Sequence, residues 1–203
     1  MALRVALVGD VPADRSQITG HAAARASLNR ALAVIRPDIV HGLGSGVHAY
    51  AALRSGYPAL LTVHGVHRED ARYLSGLRQR IHGWLQGALI ETWCIRHARH
   101  VIVISPYLLQ ALPDLRRAQL YPIPNPVAGF YFDLLPQTEP GRLLFAGTII
   151  PRKRLADALE AVARIKETVP QVSLRVAGAA TDPLHYQAMQ RLVAEKGLQS
   201  RVV

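Results

Sequence analysis

Short apolar runs alternate with longer amphipathic stretches along most of this chain, and that alternation limits the fold more than any other feature. Residues 5–8, 38–42, 59–63, 101–104 and 119–124 read as strands, each closed by a glycine, proline or polar turn. Between them lie helical patterns. Thr19 can cap a helix that presents Leu28, Leu32 and Ile35 on one face before Pro37 ends it. A short helix covers 49–53, and a long one is expected over 71–97, interrupted by Gly76, Gly83 and Gly87. Ser105 followed by Pro106 starts another, with a hydroxyl to cap it and a proline suited to its first turn. A second series follows the same rhythm: strands at 142–146 and 172–177, helices at 155–169 and 184–196, and a strand opening at 201–203.

Regular strand–helix alternation predicts parallel sheets joined by crossover helices, an α/β doubly wound architecture with ligands at the carboxyl ends of the strands. The stretch from Asn125 to Gly141 carries prolines and turn residues without periodicity, so it divides the chain into domains at 1–135 and 136–203. The second series stops as a strand begins, which predicts an incomplete second domain.

Composition is that of an ordinary globular chain: 203 residues, 50% hydrophobic and 19% charged. No apolar run approaches the ~18–20 residues of a spanning helix. The apolar start ends at Gly9-Asp10-Val11-Pro12, which suits a strand end better than a cleavage site. The single cysteine, Cys94, sits in an apolar helical pattern and reads as a buried thiol in a reducing compartment. These features give a cytoplasmic reading. The net charge of +10 suggests polyanions, but it is dispersed: residues 1–100 carry 12 basic and 6 acidic side chains, the remainder 12 and 8. Only 6% of the chain is aromatic, so the concentrated basic and stacking surface of a nucleic-acid binder is missing and no nucleic acid is expected.

Five segments in order carry a family resemblance. They are Arg36-Pro-Asp-Ile-Val-His41, Leu61-Thr-Val-His-Gly65, Val101-Ile-Val-Ile-Ser105, Ile123-Pro-Asn-Pro-Val127, and Leu144-Phe-Ala-Gly-Thr-Ile-Ile-Pro-Arg-Lys153 with the strand closing at Gly178. Together they resemble family 4 retaining glycosyltransferases, which have the GT-B fold of two Rossmann-like domains. The resemblance implies a shortened N-terminal acceptor-side domain and an incomplete C-terminal donor-binding domain. It also implies a sugar nucleotide as donor, a glycan, lipid-linked or small-molecule acceptor, no metal and no further cofactor.

The resemblance assigns roles residue by residue. A sugar nucleotide presents a diphosphate whose charge grows as the glycosidic bond breaks, and a glycine near basic side chains at a strand–helix junction suits that charge. Gly147 and Lys153 match those positions, Arg152 is adjacent, and Gly178 is expected near the nucleoside. Thr148 stands where the family usually has arginine, and Arg154 where glycine is common. Gly20 matches the glycine-rich loop after the first strand, where His21 replaces a second glycine. His64 matches a histidine near the reacting sugar. Gly44 and Ser45 lie in a loop expected on the acceptor side. The family's paired glutamates, spaced eight apart, fall beyond this sequence, and Glu160 and Glu167 do not substitute for them.

Other patterns admit plainer readings. Gly42-Leu-Gly-Ser-Gly46 has glycine at every second position, which is a tight turn and not a dinucleotide fingerprint. His64/His67 and His97/His100 are pairs without a convergent third ligand. Ser105 lacks the flanking glycines of a nucleophile elbow. Arg72, Arg78, Arg80 and Arg96, with Trp84 and Trp93, form either a solvated arginine face over core tryptophans or a peripheral contact with the inner face of a membrane. Three functional readings follow in order: a sugar-nucleotide-dependent glycosyltransferase, a non-catalytic remnant or accessory subunit of that fold, and a basic polyanion-binding protein.

Overall fold

The computed structural model describes residues 4–8, 22–74, 76–135 and 137–203, so the expected Thr19 cap and Gly20 loop lie outside the described residues. Two compact units divide the chain, Met1–Val127 and Ala128–Val203.

In the first unit, helix α1 (Ala22–Ile35) precedes strand β1 (Val40–Leu43), and α2 (Val47–Leu53) leads to β2 (Ala59–Val63). Helices α3 (His67–Ala71) and α4 (Leu77–Gln86), a π-helical turn (Gly87–Glu91) and α5 (Thr92–His97) connect to β3 (His100–Val103). Helix α6 (Tyr107–Ala111) and a 3-10 turn then lead to β4 (Gln119–Pro122). The sheet runs β1-β2-β3-β4 in chain order, all parallel, with Leu61 opposite Gly42 and Val101.

Strands added successively on one side place their right-handed crossovers on one face of the sheet. The main core has that composition: Leu61, Val63, Val101 and Val103 from the sheet meet Tyr50 of α2, Cys94 and Ile95 of α5, and Leu108 of α6. Helix α1 packs at the β1 edge, burying Leu28 and Leu32 against Val40, Ala51 and Ala52. Gly42 makes the approach of α2 possible, because a Cβ there would come within 2.8 Å of Leu61 Cδ2 and 3.2 Å of the Ala49 backbone.

The structure corrects two expectations. Residues 5–8 pair with no strand of the described sheet. The expected helix over 71–97 is broken after α3, and its glycines serve packing. A Cβ at Gly83 would meet Ala71 and Leu74 at 3.1 Å, and one at Gly87 would meet Arg68 Cγ at 2.6 Å. Both glycines therefore let α3 lie against the following helix.

In the second unit, β5 (Arg142–Ala146) pairs in parallel with β6 (Ser173–Ala177), and Val202 adds an isolated parallel bridge to Leu174. Helices α7 (Leu155–Ile165) and α8 (Pro183–Glu195) belong to this unit, and Asp182 caps α8 by accepting from His185 N at 3.0 Å. Leu155, Leu159 and Val162 of α7 form the core with Leu174 and Leu198. Among the described residues no helix is long and apolar enough to cross a membrane.

Candidate functional site

The candidate residues of the first unit gather at the carboxyl ends of β1 and β2. Past β1 the chain turns at Gly44, where φ is +87° and glycine is favoured, and Gly44 N donates to the Thr62 carbonyl at 2.8 Å. Ser45 follows, fully buried. Past β2 stands His64, exposed, with Gly65 and Val66 leading into α3. His41 of β1 approaches the same strand end, its Nε2 lying 2.7 Å from the hydroxyl of Thr62. Burial, and secondarily the nearby His64, hold the His41 imidazole below its usual pKa.

Glu91, which the sequence reading did not single out, joins these loops. Its carboxylate has no exposed surface, and Oε1 accepts from Ser45 Oγ at 2.8 Å and from His67 N at 3.1 Å. Oε2 is buried without a hydrogen-bond partner. The available sequence signal was a lone acid inside the apolar stretch from Ala88 to Ile95, since acids are rarely buried without partners. Burial, then the neighbouring Glu91 carboxylate, push the Cys94 thiol up to about 12, so Cys94 is an inert core thiol.

In the second unit, Gly147, Thr148, Lys153 and Gly178 converge beyond β5 and β6. The two chains stay paired past the strands: Gly147 N donates to the Ala177 carbonyl and Ile149 N to the Ala179 carbonyl, both at 2.9 Å. Gly147 has φ +155°, and a Cβ there would touch Lys153 Cδ at 3.9 Å, so the lysine stem passes over the glycine. Pro151, Arg152 and Lys153 form a 3-10 turn that places both basic residues on the surface just before α7. Arg154 holds a left-handed conformation at φ +59° and ψ +39°.

The two tryptophans divide. Trp93 packs edge-to-face on Tyr50 and stacks on His97, with the Arg54 guanidinium 5.3 Å from its ring centre. Trp84 is 55% exposed on α4, a helix that buries none of its residues. The expectation of two core tryptophans therefore holds for Trp93 alone.

Comparison with known proteins places the chain in a family. The sequence profile of Glycosyltransferase Family 4 matches residues 3–128. Two Mycobacterium tuberculosis glycogen synthases, from strains CDC 1551 / Oshkosh and H37Rv, are each 29% identical over 161 residues, covering 72% of this chain and 36% of theirs. Among solved structures, sucrose-phosphate synthase from Thermosynechococcus elongatus superposes with a TM-score of 0.60 at 22% identity, over 89% of this chain and 48% of that one. TarM superposes with a TM-score of 0.64 at 16% identity, over 88% of this chain and 35% of that one. These structural likenesses concern the GT-B fold. The chain spans about a third of the glycogen synthases and at most about half of these structures. On the match to more than half of its residues, the chain belongs to glycosyltransferase family 4.

Proposed function

We propose that this chain forms the acceptor-side unit and the opening of the donor-binding unit of a retaining glycosyltransferase, which moves a sugar from a sugar nucleotide to a glycan or lipid-linked acceptor. The observation that carries the reading is the junction after β5. Gly147 leaves the backbone open beneath the Lys153 stem, and Arg152 and Lys153 lie on the surface at the foot of α7. Exposed cations beside an open backbone suit a diphosphate leaving group, whose charge they would stabilise as the glycosidic bond breaks. Thr148 supplies a hydroxyl where the family usually supplies a guanidinium, so binding by this junction rests on Arg152 and Lys153. His64 is the residue proposed to meet the sugar in the first unit. A related structure supports the donor class: an S. aureus TarM mutant (TM-score 0.60, 14% identity) was solved with fondaparinux, alpha-GlcNAc-glycerol and UDP. The glycogen synthase relatives make a glucan the first acceptor to try. A cytoplasmic location belongs to the same reading.

The test is a thermal melt with millimolar UDP, GDP and ADP and their glucose conjugates, on the wild-type chain and on Lys153→Ala. Ligand at a hundred times its dissociation constant adds about 2.7 kcal/mol, a shift of several degrees. A shift by one nucleotide, lost in Lys153→Ala, supports the donor site and names the base. A cooperative melt that no nucleotide moves would sink it in favour of a remnant or accessory subunit. A shift by any polyanion, abolished by salt, would favour charge-driven binding.

A second reading concerns the exposed face of α4. Leu77 (76% exposed), Ile81 (52%) and Trp84 recur at helical spacing beside Arg78 and Arg80, and the helix carries no acid. An amphipathic basic surface of this kind suits an anionic bilayer, with the acceptor lipid-linked. Sedimentation with vesicles containing phosphatidylglycerol, but not with phosphatidylcholine alone, is expected. Trp84→Ala together with Ile81→Ser should abolish it, and binding that survives both changes would remove the reading.

A further inference from the structure

Glu91 is the one charged side chain fully buried among the described residues. It does more than fill space. Its Oε1 takes a hydrogen bond from Ser45, in the turn after β1, and another from the backbone of His67, at the start of α3. Helix α3 has no side-chain cap of its own, since Val66 at its N-cap offers no acceptor, so Glu91 satisfies one of its free amides from outside. Gly87 makes this reach possible. It lies one turn before Glu91, and any Cβ there would strike the Arg68 backbone nitrogen at 2.9 Å. The π-helical turn that contains both residues thus brings the α3 backbone down onto the helix, a local irregularity often found beside functional sites.

The consequence falls on His64. Before it, β2 is fixed by Val63 pairing with Val103. After it, Val66 is anchored in the core and His67 N is held by Glu91. The loop that carries the exposed imidazole is therefore pinned at both ends, and one of the pins also holds the acceptor-side turn. We propose that Glu91 is the positioning residue of this strand-end site, a buried carboxylate that fixes the Gly44–Gly46 turn and the His64 loop against each other. The functional meaning rests on the glycosyltransferase reading above; the clamp itself does not.

The experiment uses the whole chain and the variants Glu91→Gln, Glu91→Ala and Ser45→Ala, followed by amide hydrogen exchange and by the ring resonances of carbon-labelled histidine. In Glu91→Ala the amide of His67, and that of Gly44, which donates to the Thr62 carbonyl in the same turn, are expected to exchange at least about tenfold faster, while Leu61 and Val63 in β2 change far less. The His64 ring resonance, assigned with His64→Asn, should move with them. Ser45→Ala should speed exchange at Gly44 but leave His67 protected, which separates the two hydrogen bonds and serves if Glu91→Ala does not fold. Glu91→Gln keeps an acceptor oxygen and should lie between Glu91→Ala and the wild type. Unchanged exchange at His67 and an unmoved His64 resonance in both Glu91 variants would overturn the proposal. So would acceleration spread evenly over β2 and β3, which describes a general loss of stability. The wild-type nucleotide melt reports on the glycosyltransferase reading independently of Glu91. A clamp that passes its own test beside a melt that fails would remain, without that catalytic meaning.

Discussion

Gly178 lies so close to the carbonyl of Gly147 that a methyl group at 178 would overlap the oxygen. The two glycines end adjacent parallel strands, and their chains remain hydrogen-bonded beyond the sheet, so neither backbone can retreat without breaking those bonds. The proposed donor-side junction is thus built on a backbone contact that no side chain can enter. Gly178→Ala should therefore destabilise the second unit by more than about 3 kcal/mol, at the upper end of overpacking costs. Gly147→Ala meets nothing nearer than the Lys153 stem and should cost only the backbone strain of its φ, about 1–3 kcal/mol. Urea unfolding followed by circular dichroism ranks the two. Equal losses would mean that the contact relaxes.

At Arg154 the opposite substitution should help. A non-glycine residue in the left-handed region costs roughly 1–2 kcal/mol, and Arg154 adopts that region immediately before α7. Its exposed ion pair with Asp157, at 2.7 Å, returns little of this. Arg154→Gly is expected to leave the melting midpoint unchanged or raise it, by up to about 1 kcal/mol of stability. A clear drop would show that the Asp157 pair anchors the start of α7 more firmly than its exposure allows.

How much of this was legible in the sequence depends on which force set each feature. Strands β2 and β5 were readable because apolar runs such as Ala59–Val63 and Arg142–Ala146 end in glycine or histidine turns. Local pattern and burial agree there. Residues 5–8 share the apolar pattern but lack a pairing partner in the described sheet, a non-local fact that no window of sequence contains. Gly83 and Gly87 weakened the helix pattern because their purpose, the approach of α3, lies in another segment. Glu91 was missed for the same reason. Its role is fixed by Ser45 and His67, distant in the chain, and helical periodicity treats a buried acid as an interruption. The Gly44 turn was legible, because closely spaced glycines announce a backbone that needs positive φ.

Cys94 should be silent toward thiol reagents. With its pKa pushed up to about 12 and its sulfur in the core, the thiolate is scarce at neutral pH and inaccessible. Labelling by Ellman's reagent near pH 8 is expected only through unfolding, far more slowly than in denaturing urea. Rapid labelling of the native chain would contradict the burial of α5.

His41 should make the first unit sensitive to mild acid. Burial, then the charge of His64, lower its pKa in the folded chain from 6.5, so the unfolded chain binds the proton more readily. Stability from this residue is complete above about pH 6.5 and is lost as the pH falls through the lower folded value. The melting midpoint should accordingly drop between about pH 7.5 and about pH 5.5 more steeply in the wild type than in His41→Gln. His64→Gln should lie between them, since it removes the smaller of the two causes. Asp114 does not confuse the comparison. A hydrogen bond from Arg96 holds its carboxyl below the ordinary 3.8, so its contribution is lost only in stronger acid. Identical slopes in the wild type and His41→Gln would mean that the ring takes up its proton in place, turning outward from Thr62 as it does so. The strand end would then accommodate a charged imidazole beside His64 without loss, and the electrostatic coupling between β1 and the His64 loop would be absent.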